Sequence, residues 1–122
     1  TMGAAGGTIA VVDFREAAYR ELTASEAAAL IRSVDPLILD VRTPAEYERG
    51  RIPGSVLIPL QQLQARWQEI AQHSQRPALI CCATGNRSTV AAKILIDRGF
   101  RRVYNLRPGI AGWEREKLPV ER

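Results

Sequence analysis

The chain has 122 residues, of which 46% are apolar and 25% charged, and its formal net charge is +4. This length fits one domain with a core of its own, and the composition argues against a disordered chain. No stretch approaches the roughly 18 apolar residues that cross a bilayer. Scattered arginines with few aromatic residues argue against a nucleic-acid binder. We therefore predict a protein with neither membrane nor nucleic-acid partners.

The elements predicted along the chain alternate between helix and strand. Two capping boxes, Thr23 with Glu26 and Thr43 with Glu46, indicate helix starts, because threonine and glutamate bind each other's free backbone N–H groups. Hydrophobic periodicity supplies the other elements. In chain order we predict a helix that follows Thr23 and stops at 35–36, a strand over 37–41, a short helix that ends at Gly50, a strand over 56–58, a helix over 60–71, a strand over 77–81, a helix over 87–98, a strand over 102–105 and a helix over 110–115.

This alternation predicts an α/β fold with a mostly parallel central sheet and helices on both faces. Ligand sites in such sheets lie at the carboxyl ends of the strands, and the turn after Cys81 is at such an end. The segment Thr8–Phe14 is left open between an extra strand and an arm. Residues 1–18 are therefore predicted as an N-terminal arm or extra strand, and residues 19–120 as the single domain.

The chain has two cysteines, adjacent at Cys81 and Cys82. A bridge between neighbours closes a small strained ring, so reduced thiols are predicted. Residues 1–7 lack the charged and then apolar build of a signal peptide. Together these features predict a cytoplasmic protein, and the sequence indicates neither a metal nor an organic cofactor.

Residues 79–88, Leu-Ile-Cys-Cys-Ala-Thr-Gly-Asn-Arg-Ser, are the most informative stretch. An apolar run ends in cysteine, a tight polar turn follows, and a helical pattern then begins. Successive N–H groups in such a loop, together with the positive end of the helix, stabilise a thiolate or a bound anion. We therefore predict Cys82 as a nucleophile. The predicted loop around it comprises Ala83, Thr84, Gly85, Asn86, Arg87 and Ser88.

Four separated blocks of the chain carry further motifs. They are Asp40-Val41-Arg42 with Glu46-Tyr47, Gly-Arg-Ile-Pro-Gly-Ser at 50–55, the loop at 82–87, and 106–113. In this order they resemble the strand-and-helix signature, the Gly-His-Ile-Pro-Gly-Ala turn, the active loop and the Leu-x-Gly-Gly-Ile-x-Gly-Trp close of the rhodanese family of sulfurtransferases. The departures from these motifs leave the nucleophile in place. In this chain Arg51 replaces the usual histidine, Ser55 replaces the usual alanine and Pro108 replaces the first glycine of the closing motif. Cys81 stands where an aromatic residue is common.

The resemblance implies the three-layer rhodanese-like fold and a family reaction. That reaction moves a sulfane sulfur from a donor such as thiosulfate to a thiophilic acceptor, cyanide or a thiol, through a persulfide that would form on Cys82. The implied partners are a small anionic sulfur donor and a thiol acceptor, either a small molecule or a protein. Two alternatives remain: a sulfur carrier or interaction module, and a phosphatase or arsenate reductase. The second is disfavoured because four residues, where phosphatase relatives have five, separate Cys82 from Arg87.

Charged residues outside the loop are predicted to support it. Asp40 and Arg42 are predicted as a structural pair at the end of the sheet. Two roles are open for Arg87: closing the loop through a partner such as Glu46, which we favour, or contacting an anionic donor.

Other residues near the motifs have competing interpretations. Alternation along the strand favours a core position for Cys81 over a role as resolving thiol. Arg51 and Arg107 either line the mouth of the pocket or are simply solvated. Trp113 is interpreted as a packing residue rather than a platform for substrate.

Overall fold

The computed structural model describes residues 8–11 and 18–122. Its strands are β1 (Thr8–Val11), β2 (Ala18–Leu22), β3 (Leu37–Asp40), β4 (Val56–Leu57), β5 (Ala78–Cys81) and β6 (Val103–Leu106). Its α-helices are α1 (Ala24–Val34), α2 (Pro44–Arg49), α3 (Leu60–Arg66), α4 (Asn86–Asp97) and α5 (Gly109–Arg115), and a 3-10 helix covers Trp67–His73.

These strands form one sheet in the order β1-β2-β6-β5-β3-β4. The five strands from β2 to β4 in that order are parallel, whereas β1 pairs antiparallel with β2. The strand β1 covers the first part of the segment left open between strand and arm, and Val12–Phe14 lie outside the described residues. The domain boundary at residues 19–120 stays a prediction.

Two apolar clusters cover the two faces of the sheet. One contains Leu39 and Ile80 of the strands together with residues of α3, the 3-10 helix and α4. The other contains Ile38 and Leu79, next to them in sequence, together with residues of α1 and α5. Because successive strand residues point to opposite faces, each buried strand contributes to both clusters. The predicted α/β fold with three layers is confirmed.

Local sequence signals account for most element boundaries. Both predicted capping boxes are present, since each threonine hydroxyl accepts the glutamate N–H and each glutamate carboxylate accepts the threonine N–H. The predicted helix over 60–71 is instead an α-helix that ends at Arg66, followed by a 3-10 helix. Leu63 and Ile70 are buried in the same cluster. Apolar spacing therefore did not separate the two helix types.

Candidate active site

The candidate site lies at the carboxyl ends of β3 and β5, where Asp40 is opposite Cys81 in the strand register. The strand β5 ends at Cys81 and α4 begins at Asn86, so a short loop carries Cys82. The Sγ atom of Cys82 accepts the N–H of Gly85 at 3.1 Å and the N–H of Ser88 at 3.4 Å. The predicted loop is therefore wrapped around this sulfur, and Cys82 is only 1% exposed.

The surroundings of Cys82 have opposing effects on its pKa. Burial raises it, whereas hydrogen bonds from the side chain and backbone of Ser88 and from the backbone of Thr84 and Gly85 lower it. The hydrogen bonds win, and the pKa of Cys82 lies below its ordinary value. Since the thiolate is the nucleophilic form of cysteine, this loop increases the reactive fraction at neutral pH.

Two glycines allow the loop to approach the start of α5. Gly85 has φ +95° and Gly109 has φ +69°, both in the left-handed region. A Cβ on Gly85 would overlap the carbonyl oxygen of Arg107, and a Cβ on Gly109 would overlap that of Ala83. These contacts are backbone against backbone, so neither glycine can be replaced without moving the loop.

The start of α5 also holds the loop by hydrogen bonds. The N–H of Ile110 donates to the carbonyl of Cys82 at 2.8 Å, and the N–H of Ala111 donates to that of Ala83 at 3.1 Å. No sequence pattern had assigned Gly109, Ile110 or Ala111 to the site. The available signal was the glycine in the closing motif, next to Pro108.

Arg87 and Glu46 form a two-pronged ion pair across the loop. The two terminal guanidinium nitrogens of Arg87 each donate to one carboxylate oxygen of Glu46 at 2.9 Å. Glu46 also accepts the N–H of Thr43 at 2.9 Å. Hydrogen bonds from Arg87 are the main cause that lowers the pKa of Glu46 to about 2. Two roles were predicted for Arg87, and this geometry fits the role of closing the loop.

Asp40 and Arg42 form a buried pair below the loop. The guanidinium of Arg42 donates to both carboxylate oxygens of Asp40 at 2.8 to 3.1 Å. It also donates to the carbonyl of Gly50 at 2.7 Å, which ties the end of β3 to the end of α2. Burial lowers the pKa of Arg42, but its hydrogen bonds and the Asp40 charge outweigh burial and raise it.

Cys81 and Cys82 face opposite sides of the sheet. Cys81 belongs to the apolar cluster under α1 and α5, whereas Cys82 belongs to the other cluster. Burial, and then the charge of Asp40, raises the pKa of Cys81 well above its ordinary value. The core position predicted for Cys81 agrees with this placement, and the geometry opposes a role as resolving thiol.

A cavity of about 380 Å³ opens beside the loop. Its lining includes Ala83 and Thr84 of the loop, together with charged side chains. These charged side chains are Arg42, Glu46, Arg49, Glu114 and Arg122. Since Arg42 is paired with Asp40, Glu46 with Arg87 and Arg122 with Glu114, Arg49 supplies the excess positive charge among these lining residues, which suits the entrance of a small anion.

Three residues with open interpretations lie away from this cavity. Arg51 lies over the ring of Tyr47, 4.9 Å from its centroid, and 3.6 Å from the carboxylate of Glu121. Arg107 is exposed and lines a separate groove at the start of α1. Trp113 is 2% exposed and its Nε1–H donates to the carbonyl of Pro119, which is a packing arrangement. Neither arginine therefore lines the mouth of the candidate site.

Two features are absent from the described residues 8–11 and 18–122. No helix there is both long and apolar enough to cross a bilayer. No three His, Cys, Asp or Glu side chains in these ranges are placed to hold a metal ion.

Comparison with known proteins shows relatives that handle sulfur. A sulfurtransferase of Allochromatium vinosum is 41% identical over 86 residues, which are 70% of this chain and 78% of the relative. A thiosulfate sulfurtransferase of Pseudoalteromonas translucida is 30% identical over 97 residues, or 80% of this chain and 90% of the relative. A Bacillus subtilis protein whose name marks it as a candidate sulfur carrier is 41% identical over 76 residues, or 62% of this chain and 40% of the relative.

Solved structures and family models agree with these relatives. A rhodanese-related protein of Thermoplasma volcanium superposes with a TM-score of 0.76 at 31% identity, over 84% of this chain and 98% of the other. The family model described as Rhodanese-like domain matches residues 23–116. These residues include the Cys82 loop, the Asp40–Arg42 pair and the start of α5. The chain therefore belongs to the rhodanese-like domain family, with relatives named for sulfur transfer and sulfur carriage.

Proposed function

We propose that this protein is a thiosulfate:cyanide-type sulfurtransferase that works through a persulfide on Cys82. The observation that carries the proposal is the position of Cys82 Sγ beneath the N–H groups of Gly85 and Ser88, with its pKa lowered. Such a loop stabilises an anionic sulfur without a histidine as base. The relatives named as sulfurtransferases support the same chemistry. Since the reaction needs a reduced thiol, we also propose a cytoplasmic location.

In the first half-reaction the Cys82 thiolate attacks the outer sulfur of thiosulfate. A new S–S bond forms, the S–S bond of the donor breaks, and sulfite leaves with the electron pair. The negative charge then lies on the terminal sulfur of the persulfide. We expect the backbone N–H groups between Ala83 and Ser88 to hold that charge, because those of Gly85 and Ser88 already face the sulfur of Cys82, and the hydroxyl of Thr84 to be a further donor.

In the second half-reaction a thiolate or cyanide attacks the terminal sulfur. The acceptor gains the sulfur, the persulfide S–S bond breaks, and Cys82 recovers its thiolate. Arg87 and Glu46 keep the loop closed around the sulfur, while Arg49 attracts the anionic donor to the cavity. The proposed partners are thus a small anionic sulfur donor and a small-molecule or protein thiol.

The second candidate function is a sulfur carrier that keeps its persulfide for a dedicated partner. The relative of Bacillus subtilis favours it. Carriers and enzymes share the loop, so the distinction depends on which acceptors discharge the persulfide.

Intact-mass spectrometry after incubation with thiosulfate tests the proposal. We expect the wild-type protein and Cys81→Ser to gain about 32 Da, one sulfur atom, and Cys82→Ser to gain nothing. Cyanide should then remove the added mass as thiocyanate. Transfer that survives in Cys82→Ser but is lost in Cys81→Ser would refute the choice of nucleophile. A persulfide that no small acceptor discharges would favour the carrier, and dominant turnover of a phosphate ester would favour a phosphatase.

A further inference from the structure

A series of hydrogen bonds leads from Cys82 through Ser88 of α4 to the neighbouring strands β6 and β2. Ser88 Oγ lies 3.5 Å from the sulfur of Cys82, and the Ser88 hydroxyl donates to Oδ1 of Asn105. Asn105 Nδ2 in turn donates to Glu21 Oε1 at 2.9 Å. Ser88 and Asn105 are at most 1% exposed, so water does not replace these partners. These hydrogen bonds link α4 to β6 and β2. The reaction steps described above assign no role to Asn105 or Glu21.

The donors and acceptors in this series have one consistent orientation. An ionised carboxylate only accepts hydrogen bonds, so the oxygen of Glu21 requires the amide NH₂ of Asn105 to face it. The amide oxygen of Asn105 then faces Ser88, and it also only accepts. The single hydroxyl hydrogen of Ser88 therefore points to Asn105, and its lone pairs face Cys82. A protonated thiol fits this arrangement, because its S–H donates to Ser88 Oγ.

When Cys82 ionises, its sulfur needs a hydrogen-bond donor where the thiol needed an acceptor. A thiolate has no hydrogen to donate and is stabilised only by donors. The hydroxyl hydrogen can turn to the sulfur, which leaves the buried oxygen of Asn105 without a partner. If the hydrogen instead stays on Asn105, the Ser88 lone pairs face a negative sulfur. Each outcome has a cost in a site that water does not reach.

We propose that Asn105, held in orientation by Glu21, competes with the Cys82 thiolate for the single hydroxyl hydrogen of Ser88. Asn105 and Glu21 are thus positioning residues. The inference relies on the proposed function in treating Cys82 as the reactive thiol. In a persulfide the charge moves to the terminal sulfur, and the Sγ atom of Cys82 becomes neutral. Ser88 can then return its hydrogen to Asn105. The series of hydrogen bonds therefore favours the persulfide form of Cys82 over its thiolate form.

The pH profile of Cys82 alkylation by iodoacetamide tests this inference, in a Cys81→Ser background so that one thiol reports. Glu21→Gln keeps the packing, but the new amide can donate a hydrogen bond as well as accept one. It and the amide of Asn105 can then both turn over. The NH₂ of Asn105 faces Ser88, and the hydroxyl hydrogen of Ser88 is free to bond the sulfur. We expect the midpoint of the profile to move to lower pH. Alkylation near neutral pH should become about threefold faster, since a larger thiolate fraction outweighs its lower nucleophilicity. Asn105→Leu, which removes the competing acceptor, should act in the same direction.

The matched control is the same pair of changes in a Ser88→Ala background. Without the hydroxyl, Asn105→Leu should leave the midpoint unchanged. Glu21→Gln should show only the small effect of removing a distant charge. The inference fails if either change moves the midpoint of the pH profile upward. It also fails if a change moves the midpoint equally with and without the Ser88 hydroxyl, because Asn105 is then merely structural. Alkylation does not depend on sulfur transfer, so this result and the mass test of the proposed function can fail separately.

Discussion

At the scale of single residues, two adjacent and chemically identical thiols have opposite properties. Cys81 is surrounded by apolar side chains with the charge of Asp40 nearby, and both raise its pKa. Cys82 is 1% exposed and burial raises its pKa too, but hydrogen bonds from Ser88 and from the backbone of Thr84 and Gly85 outweigh burial and lower it. Reactivity at this site is therefore a matter of hydrogen-bond donors within reach rather than of exposure.

The Arg87–Glu46 pair belongs to the same scale, and we predict that Glu46→Gln destabilises the protein at pH 7. The pair has two parallel hydrogen bonds, but side-chain exposures of 36% for Arg87 and 23% for Glu46 allow solvent to screen it. We therefore expect a loss of only about 1 kcal/mol in the free energy of unfolding. Urea denaturation measures it, with the exposed Glu48→Gln on the same helix as control.

The contribution of Glu46 should also depend on pH in a definite direction. Its pKa in the folded protein is about 2, below the ordinary value of 4.5, so the folded state favours the ionised form. The stabilisation is complete above pH 4.5 and disappears as the pH falls through 2. The difference between wild type and Glu46→Gln should shrink over this window. A difference that stays constant on acidification would contradict the assignment.

At the scale of elements, the start of α5 acts as a clamp on the Cys82 loop. Its N–H groups bind the carbonyls of Cys82 and Ala83, and Gly109 leaves no room for a side chain. The clamp is close to the sulfur in space although more than 25 residues separate Cys82 from Gly109 along the chain. The closing motif therefore shapes the site through its backbone.

We predict that Gly109→Ala is more damaging than Gly54→Ala. Both glycines have positive φ, +69° and +83°, but a Cβ on Gly54 meets nothing within 4 Å. Strain alone should cost Gly54→Ala about 1 kcal/mol, whereas the added overlap should cost Gly109→Ala more than about 2 kcal/mol. Chemical denaturation gives the free energies. Only Gly109→Ala should also change the rate of Cys82 alkylation, and equal effects of the two changes would refute the clamp.

Prediction from sequence worked well for elements and less well for the contacts between them. The capping boxes and the parallel sheet follow from local signals, namely paired side chains three residues apart and apolar periodicity. The approach of α5 to the loop does not, because it depends on how two distant segments dock. For the same reason Asn105 and Glu21 carried no local signal that connects them to Cys82.

At the scale of the whole molecule, parallel pairing collects charges at one edge of the sheet. Arginines from the end of β3, from α2 and from the C-terminal segment all line the cavity beside the loop. The net charge of +4 adds a weak field of the same sign. We expect this field to favour anionic reagents that approach Cys82.

We predict that alkylation of Cys82 by iodoacetate depends on salt more strongly than alkylation by neutral iodoacetamide. The ratio of the two rates should fall about two- to threefold between roughly 0.01 M and 1 M ionic strength, as the Debye length shrinks from about 30 to about 3 Å. Arg49→Gln should weaken this dependence, and the exposed Arg101→Gln, outside the cavity lining, should not. A ratio that is independent of salt would contradict an electrostatic entrance.

The sequence by itself determined the layered α/β fold, the position of Cys82 at the end of a strand and the loop around it, because periodicity, caps and turn residues act over short distances. Only the tertiary structure decided which charges face that loop. It placed Glu46 on Arg87, kept Arg51 and Arg107 out of the cavity and connected Ser88 through Asn105 to Glu21. These contacts join residues far apart along the chain, and their partners are selected by strand order and helix docking rather than by local residue patterns.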